Sequence, residues 1–429
     1  MANRAVSTPA PSLPDGLEMP ASGAWASAAR KAALGRLEAM GLPGRRDEYW
    51  RFTRPDSLTT PEPIEAPILD MGGEAPVFTG LERLGVEFED GVFQGEMPAL
   101  PEGLEIARLA EAGQADLHWA RELYGVLEAK GHDPVDRPFA ALNTAFASDG
   151  LLIRVSGKVT LPVNLIYRHV DARADAILHH VVRLEEGAEL TLLENGPGAA
   201  RFNTVLEVDL ADGARFHHVR AQGRDHGRRA ITHIFGRLGK ESVFKSFTLT
   251  VNGALTRNES VLWFTGDDAV AHLAGAAMGD GAAGAFHHDD TVFITHDAEN
   301  CESRQVFKKV LLNGATGVFQ GKILVQPGAQ KTDGYQKSQA LLLDGDSTFL
   351  AKPELEIYAD DVACSHGSTS GGIDEEQLFY LQSRGVPAPI AQDLLVIAFL
   401  ADAIEEIDSE EITRDITERL EAWLARRRD

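Results

Sequence analysis

From about residue 151 to residue 350, apolar and polar positions alternate with a period of two. The stretches "LLIRVSGKVTLPVNLIYRHV", "FNTVLEVDL" and "GVFQGKILVQ" are dense in Val, Ile, Thr and Phe. Within this span Pro is confined to Pro162, Pro197 and Pro327, and no helical periodicity runs through it. Residues that alternate in this way point to opposite faces of a strand, so the pattern predicts a long all-β region. Short turn segments punctuate it. "EEGAEL", "ADGARF", "LGKESVF" and "TGDDAVA" place Gly187, Gly213, Gly239 and Gly266 at spacings of 26, 26 and 27 residues. "LNGATGVF" and "LDGDSTFL" resemble later members, out of strict phase. A period in the twenties built from strands and Gly turns predicts a stacked solenoid such as a parallel β-helix. A sandwich or barrel would turn every ~8–12 residues without the longer repeat.

The pattern changes on both sides. "AWASAARKAALGRLEAM" (Ala24 to Met40) is rich in strong helix formers and predicts a helix that Gly41 and Pro43 break. A Pro-rich stretch, "TRPDSLTTPEPIEAPILDMGGEAP", reads as loop, and "LHWARELYGVLEAKG" (Leu117 to Gly131) as a second helix. After the β region, "IDEEQLFYLQSRG" has Asp374 as N-cap and Gly385 as stop. "VPAPIAQDLLVIAFLADAIEEI" places Pro389 in a first turn, and "DSEEITRDITERLEAWLARRRD" offers Asp408 or Ser409 as a cap. The chain therefore divides into a disordered Pro/Ser-rich lead-in (1–20), a helix-rich region (21–150), a β-helix core (151–373) and a helical C-terminal region (374–429). The fold class is mainly β, a solenoid flanked by helices.

Charge narrows the function classes. Lys and Arg number 41 against 65 Asp and Glu, a net charge of −24. Such a surface repels phosphate backbones and anionic lipids, so neither nucleic acid nor membrane is an expected partner. The most apolar run, "LLVIAFLADAIEEI" from Leu394, reaches carboxylates too soon to span a bilayer. The N-terminal stretch lacks the apolar centre of a secretory signal. Two cysteines make no disulfide framework, and a cytoplasmic location is expected.

"DDVACSHGS" (Asp360 to Ser368) carries the candidate chemistry. On a strand, Cys364 and His366 project to one side, a soft and a borderline ligand suited to iron–sulfur or zinc chemistry. Asp360 and Asp361 are nearby ligands or supporting groups. A buried cysteine beside a hydrogen-bonded histidine explains the same spacing, so the pair alone leaves both readings open. Cys301 would lie more than two coils from Cys364 and reads as a packing residue. The pairs His179–His180, His217–His218 and His287–His288 put neighbours on opposite faces, which predicts surface or cross-coil contacts. "GATGVFQGKI" fails as a phosphate loop, with Thr316 where the first Gly belongs and Ile323 after Lys322. The acidic stretch Leu400 to Ile412 fits either a solvated turn or a docking surface for another protein.

One long block resembles a known family. "CESRQVF", "GVFQGKI", "AQKTD", "KPELEIYADDV", "CSHG" and "DEEQLFYLQSRG", with "RRDEYWRFT" and "FAALNTAFASDGLLI" upstream, resemble the SufB/SufD family of the SUF iron–sulfur cluster assembly machinery. Within that family Gly367 after the histidine, the length and "DEYWRFT" are similar to the SufD branch, whereas "GSTSGG" and the Gly334–Tyr335 pair depart from the usual pattern. The resemblance implies a right-handed parallel β-helix between helical ends and a non-catalytic scaffold. It implies a complex with SufB, through the β-helix, and with the ABC-type ATPase SufC, through the C-terminal helices. It places Cys364 and His366 at the SufB interface, where a transient iron–sulfur cluster would be shared. Reduced flavin at the level of the complex, and a homodimer of the isolated chain, are open under this resemblance. Two other readings remain: a SufB-type principal scaffold, and a carbohydrate-active β-helix enzyme using Asp289, Asp290 and Arg304.

Overall fold

The alternating stretches form strands that the chain deals in turn to two sheets. These are a ten-stranded sheet ending in Ala363–Gly371 and a nine-stranded sheet ending in Thr348–Ile357. The structure, a computed structural model, describes residues 17–44, 46–70 and 75–426. Most of the expected lead-in therefore lies outside the described residues, as does Arg45 of the N-terminal motif. Within the solenoid each strand pairs in parallel with the strand one coil before and one coil after, giving about eight coils. The first coils are short and later ones lengthen. Register partners Asp175↔Arg201 and Arg229↔Leu255 are 26 residues apart, whereas Thr256↔His288 are 32 apart.

The glycine period marks one stacked turn. Two residues before six successive strands of the ten-stranded sheet the backbone is left-handed, at Gly187, Gly213, Glu241, Asp268, Asn300 and Lys331, with φ between 54° and 68°. Gly187 and Gly213 occupy that position. Gly266 lies two residues earlier for a different reason: a Cβ there would come within 2.1 Å of the Lys240 backbone nitrogen in the coil below. Backbone hydrogen bonds such as that from Gly213 N to Lys240 O, 2.7 Å, tie the turns together. "LNGATGVF" and "LDGDSTFL" fall out of phase because they form the opposite edge, where the chain returns from the ten-stranded to the nine-stranded sheet.

Side chains such as Leu165, Leu192, Phe216, Phe244 and Phe264 fill the space between the sheets. Both outer faces are covered too, which is why these strands carry apolar residues in both phases. Helices Ala24–Met40 and Pro138–Phe146 pack Leu37, Leu142 and Phe146 against Ile231 and Leu255 of the nine-stranded sheet. Helices Ala388–Ile404 and Glu410–Arg426 pack Val396, Leu400, Ile416 and Leu420 against Phe247, Val306 and Val310 of the ten-stranded sheet. Among the described residues no helix is long and apolar enough to cross a membrane.

Two expectations need correction. The sheets begin before residue 151: Leu84–Glu89 pairs with Val163–Arg168 and Leu104–Arg108 with Leu151–Val155. These strands are only six and five residues long, too short for an alternating pattern to stand out. The helix expected over Leu117 to Gly131 is broken into a 3-10 turn, Trp119–Glu122, and a short helix, Val126–Lys130. Gly125 between them has φ 71°, and a Cβ there would meet the Thr144 side chain at 2.7 Å.

Candidate functional site

Among the described residues the solenoid is open at its C-terminal end. Thr348–Ile357 and Ala363–Gly371 are the last strands of their sheets, each with a neighbour on one side only. Asp333–Leu342 alternates buried and half-buried residues, but the next strand is exposed from Ser365 onward. The C-terminal helices pack on the outer face instead of covering this end. An exposed edge with unpaired N–H and C=O groups is a template for another chain, and natural folds either blunt it or use it.

Cys364 and His366 sit on this edge strand. Their register partners are Gly334 and Gln336, both buried inward positions, so the thiol and the imidazole share the inner side of the final coil. Cys364 is half-buried against Ile323, Val325 and Leu355, and burial pushes its thiol up. Gly334 makes room below it, since a Cβ there would lie 3.1 Å from Cys364 Sγ. His366 is exposed. One ladder step beneath it, Gln336 donates to Gln305 Oε1 at 2.9 Å, while Gln336 Oε1 is buried without a partner. Ser338 donates to Ser368 at 3.0 Å.

Asp360 and Asp361 occupy the exposed turn that leads into this strand. The Asp361 backbone is anchored to the previous turn, accepting from Lys331 N at 2.5 Å and donating to Gln330 Oε1 at 3.0 Å. Among the described residues no three His, Cys, Asp or Glu side chains converge in a way that could hold a metal ion. The end of the solenoid thus presents two ligand types side by side and lacks a closed set. Cys301 does not join them. It is buried two ladder steps away, in the turn before Glu302, with Glu302 and Asp333 the successive register partners below Ala363. Burial raises its thiol pKa to about 11.

The histidine pairs divide as strand geometry requires. His179 faces outward to Glu207 at 2.9 Å, and His180 turns inward to Tyr167 at 3.1 Å. His218 meets Glu194 at 2.8 Å, and His288 accepts from Lys309 at 2.7 Å. The contacts of His180, His218 and His288 belong to a buried polar chain inside the solenoid that includes Arg220, Asn258 and Asp290. The alternating pattern does not predict this polar chain, although Glu194, Arg220, Asp290 and Lys309, charges set in otherwise apolar strands, are a signal for it. Asp289, Asp290 and Arg304, the carboxylates and base considered for a carbohydrate site, do not meet. Asp289 pairs with Arg257 on the outer face of one sheet, Asp290 with Lys309 in the interior, and Arg304 with Glu406 on the outer face of the other.

Two flanking features reach this end. The motif around Tyr49 is a strap: Arg257 donates to the Tyr49 carbonyl at 2.8 Å and stacks 4.2 Å over Trp50. Tyr49 then donates to Glu354 at 2.8 Å and Glu48 accepts from Lys352 at 2.7 Å, both on the last strand of the nine-stranded sheet. On the other side, helix Glu375–Ser383 buries none of its residues. Phe379 and Tyr380, 71% and 54% exposed, and Ile390 and Leu394 of the next helix are apolar side chains left exposed.

Comparison with known proteins places this geometry in context. Residues 167–399 match a family model described as "SUF system FeS cluster assembly, SufBD core domain". The chain is 27% identical to the iron–sulfur cluster assembly protein SufD of Escherichia coli over 406 residues, covering 90% of each. It is 24% identical to the SufD protein of Bacillus subtilis, covering 93% of this chain and 94% of that one. An iron–sulfur cluster assembly SufBD family protein of Mycobacterium tuberculosis is 28% identical, covering 90% of each.

Proposed function

The chain belongs to the SufBD core family of SUF iron–sulfur cluster assembly proteins, and on that premise we propose that it is a SufD-type scaffold subunit without chemistry of its own. The observation that carries this reading is the open final coil, with Cys364 and His366 on its edge strand. Two ligands side by side hold an iron–sulfur cluster poorly, because such clusters take four cysteine or histidine ligands. A SufB-type partner seated on the open end would supply the others and pair the free strand edges. A cluster shared across an interface can be built and then released when the interface moves, and the cluster is cargo. Asp360 and Asp361 would lie at the rim of that interface as supporting groups.

The motion is assigned to a SufC-type ATPase docked on the helical region from residue 374. Its support is the exposed face of Phe379, Tyr380, Ile390 and Leu394, which a helix with no buried residue of its own leaves without a counterpart. The failed phosphate loop at Thr316 to Ile323 agrees with ATP hydrolysis on another chain. The test is to co-express the three proteins with His366→Ala in this one. The complex should purify intact while cluster assembly, and growth on limiting iron, fall sharply; Cys364→Ala should be milder. Wild-type assembly and growth with His366→Ala would end the ligand assignment.

A further inference from the structure

Three carboxylates at and just beyond the end of helix Ala388–Ile404 reach the ten-stranded sheet. Asp402 accepts from Lys337 Nζ at 2.7 Å and lies 3.0 Å from Lys308 Nζ. Glu406 meets His272 at 2.9 Å and Arg304 at 2.7 Å, and Asp408 accepts from Lys245 at 2.6 Å. These basic groups come from consecutive strands of the ten-stranded sheet, Val243–Val251, Val270–Asp280, Glu302–Leu312 and Asp333–Leu342. The next strand in that order is Ala363–Gly371, which carries Cys364 and His366.

Side chains bridge the last step. Lys308 donates to Gln339 Oε1, and Gln339 Nε2 donates to Thr369 Oγ1 at 3.0 Å. Thr369 lies three residues beyond His366 on the same strand, and Lys337 is the register partner of Gly367. The Lys308 ammonium also lies 4.6 Å from the centre of the Phe399 ring, on the helix itself. That helix exposes Ile390 and Leu394 near its start and presents Asp402 near its end. Ile390 and Asp402 are twelve helical steps apart, a rigid arm of roughly 18 Å.

We propose that helix Ala388–Ile404 is the lever through which the docked ATPase acts on the Cys364–His366 strand, with Asp402 and Glu406 as positioning residues and Lys308–Gln339–Thr369 as the link. This rests on the ATPase docking proposed above. Coupling of this kind travels through contiguous ion pairs and hydrogen bonds on rigid elements, and the path from Asp402 to the edge strand is continuous.

The experiment uses the complete complex, with the maleimide labelling rate of Cys364 read by mass spectrometry with and without ATP. In the wild type ATP should change that rate severalfold. Asp402→Asn and Gln339→Leu should abolish the ATP response while the ATPase remains bound, and Asp402→Glu should restore it. Gln339 lies on the solenoid, apart from the exposed apolar surface of the helices, so Gln339→Leu decides even where Asp402→Asn weakens docking. A wild-type ATP response in Gln339→Leu would overturn the lever, as would a wild-type complex with bound ATPase and no ATP response. Failure of the wild type to retain the ATPase would overturn the functional reading instead.

Discussion

Cys364 and His366 were legible because strand alternation is a strict geometric rule: two residues apart on a strand means one side. What the sequence does not carry is how far each side chain is from water. Cys364 is half-buried and His366 exposed, and that contrast arises from where the solenoid stops. The glycines show a similar split. Gly213 and Gly266 look alike in the repeat, yet the first serves a left-handed turn and the second a close backbone approach. Gly266→Ala should therefore destabilise the fold by more than ~1 kcal/mol, whereas Gly345→Ala, with open space around its Cβ position, should be nearly neutral. Urea midpoints compare the two. The buried Arg257 bridges Glu259 and Asp289 under the Tyr49 strap. Arg257→Met leaves both carboxylates buried without it and should cost about 3–5 kcal/mol, read from the same denaturation curves.

At the scale of elements, the long strands and the terminal helices were readable because each exceeds one period of its pattern several times over. The helix expected at Leu117 to Gly131 failed because one left-handed glycine outweighs the propensity of its neighbours. The short strands from Leu84 and Leu104 are fixed by pairing with later strands, a long-range contact that local pattern does not encode. The docking of helix Ala388–Ile404 on the sheet has an electrostatic component with a defined pH sign. Burial alone would push the His272 imidazole down, but hydrogen bonds and charge from Glu406 and Glu302 hold it above its ordinary value. Arg304 shares Glu406 and favours the same carboxylate form. A raised folded value means that this stabilisation is fully present below about pH 6.5 and is lost as pH rises through the folded value. Amide exchange in this helix, corrected for intrinsic rates, should accelerate over that rise. His272→Gln should flatten the profile, and an unchanged profile would remove His272 from the docking.

For the whole molecule, the deciding fact is asymmetry between the ends of the stack. At the N-terminal end the chain turns back antiparallel, Val92–Gln94 on Leu84–Glu89 and Leu104–Arg108 on Leu151–Val155, and Phe93, Met97 and Leu100 of this return pack against the core. Among the described residues the C-terminal end has no such return, and it carries the candidate ligands. Sequence periodicity reports that coils stack but not what covers the last one, so the two candidate ligands are readable from it and the free edge they stand on is not. Anaerobic reconstitution of this chain alone and of its complex with a SufB-type partner and SufC-type ATPase, followed by iron and sulfide analysis after desalting, tests that claim most directly. The account predicts that the isolated chain retains no stable cluster and that the complex retains one that is lost with His366→Ala. A stoichiometric cluster on the isolated chain, or one in the complex indifferent to His366, would contradict it.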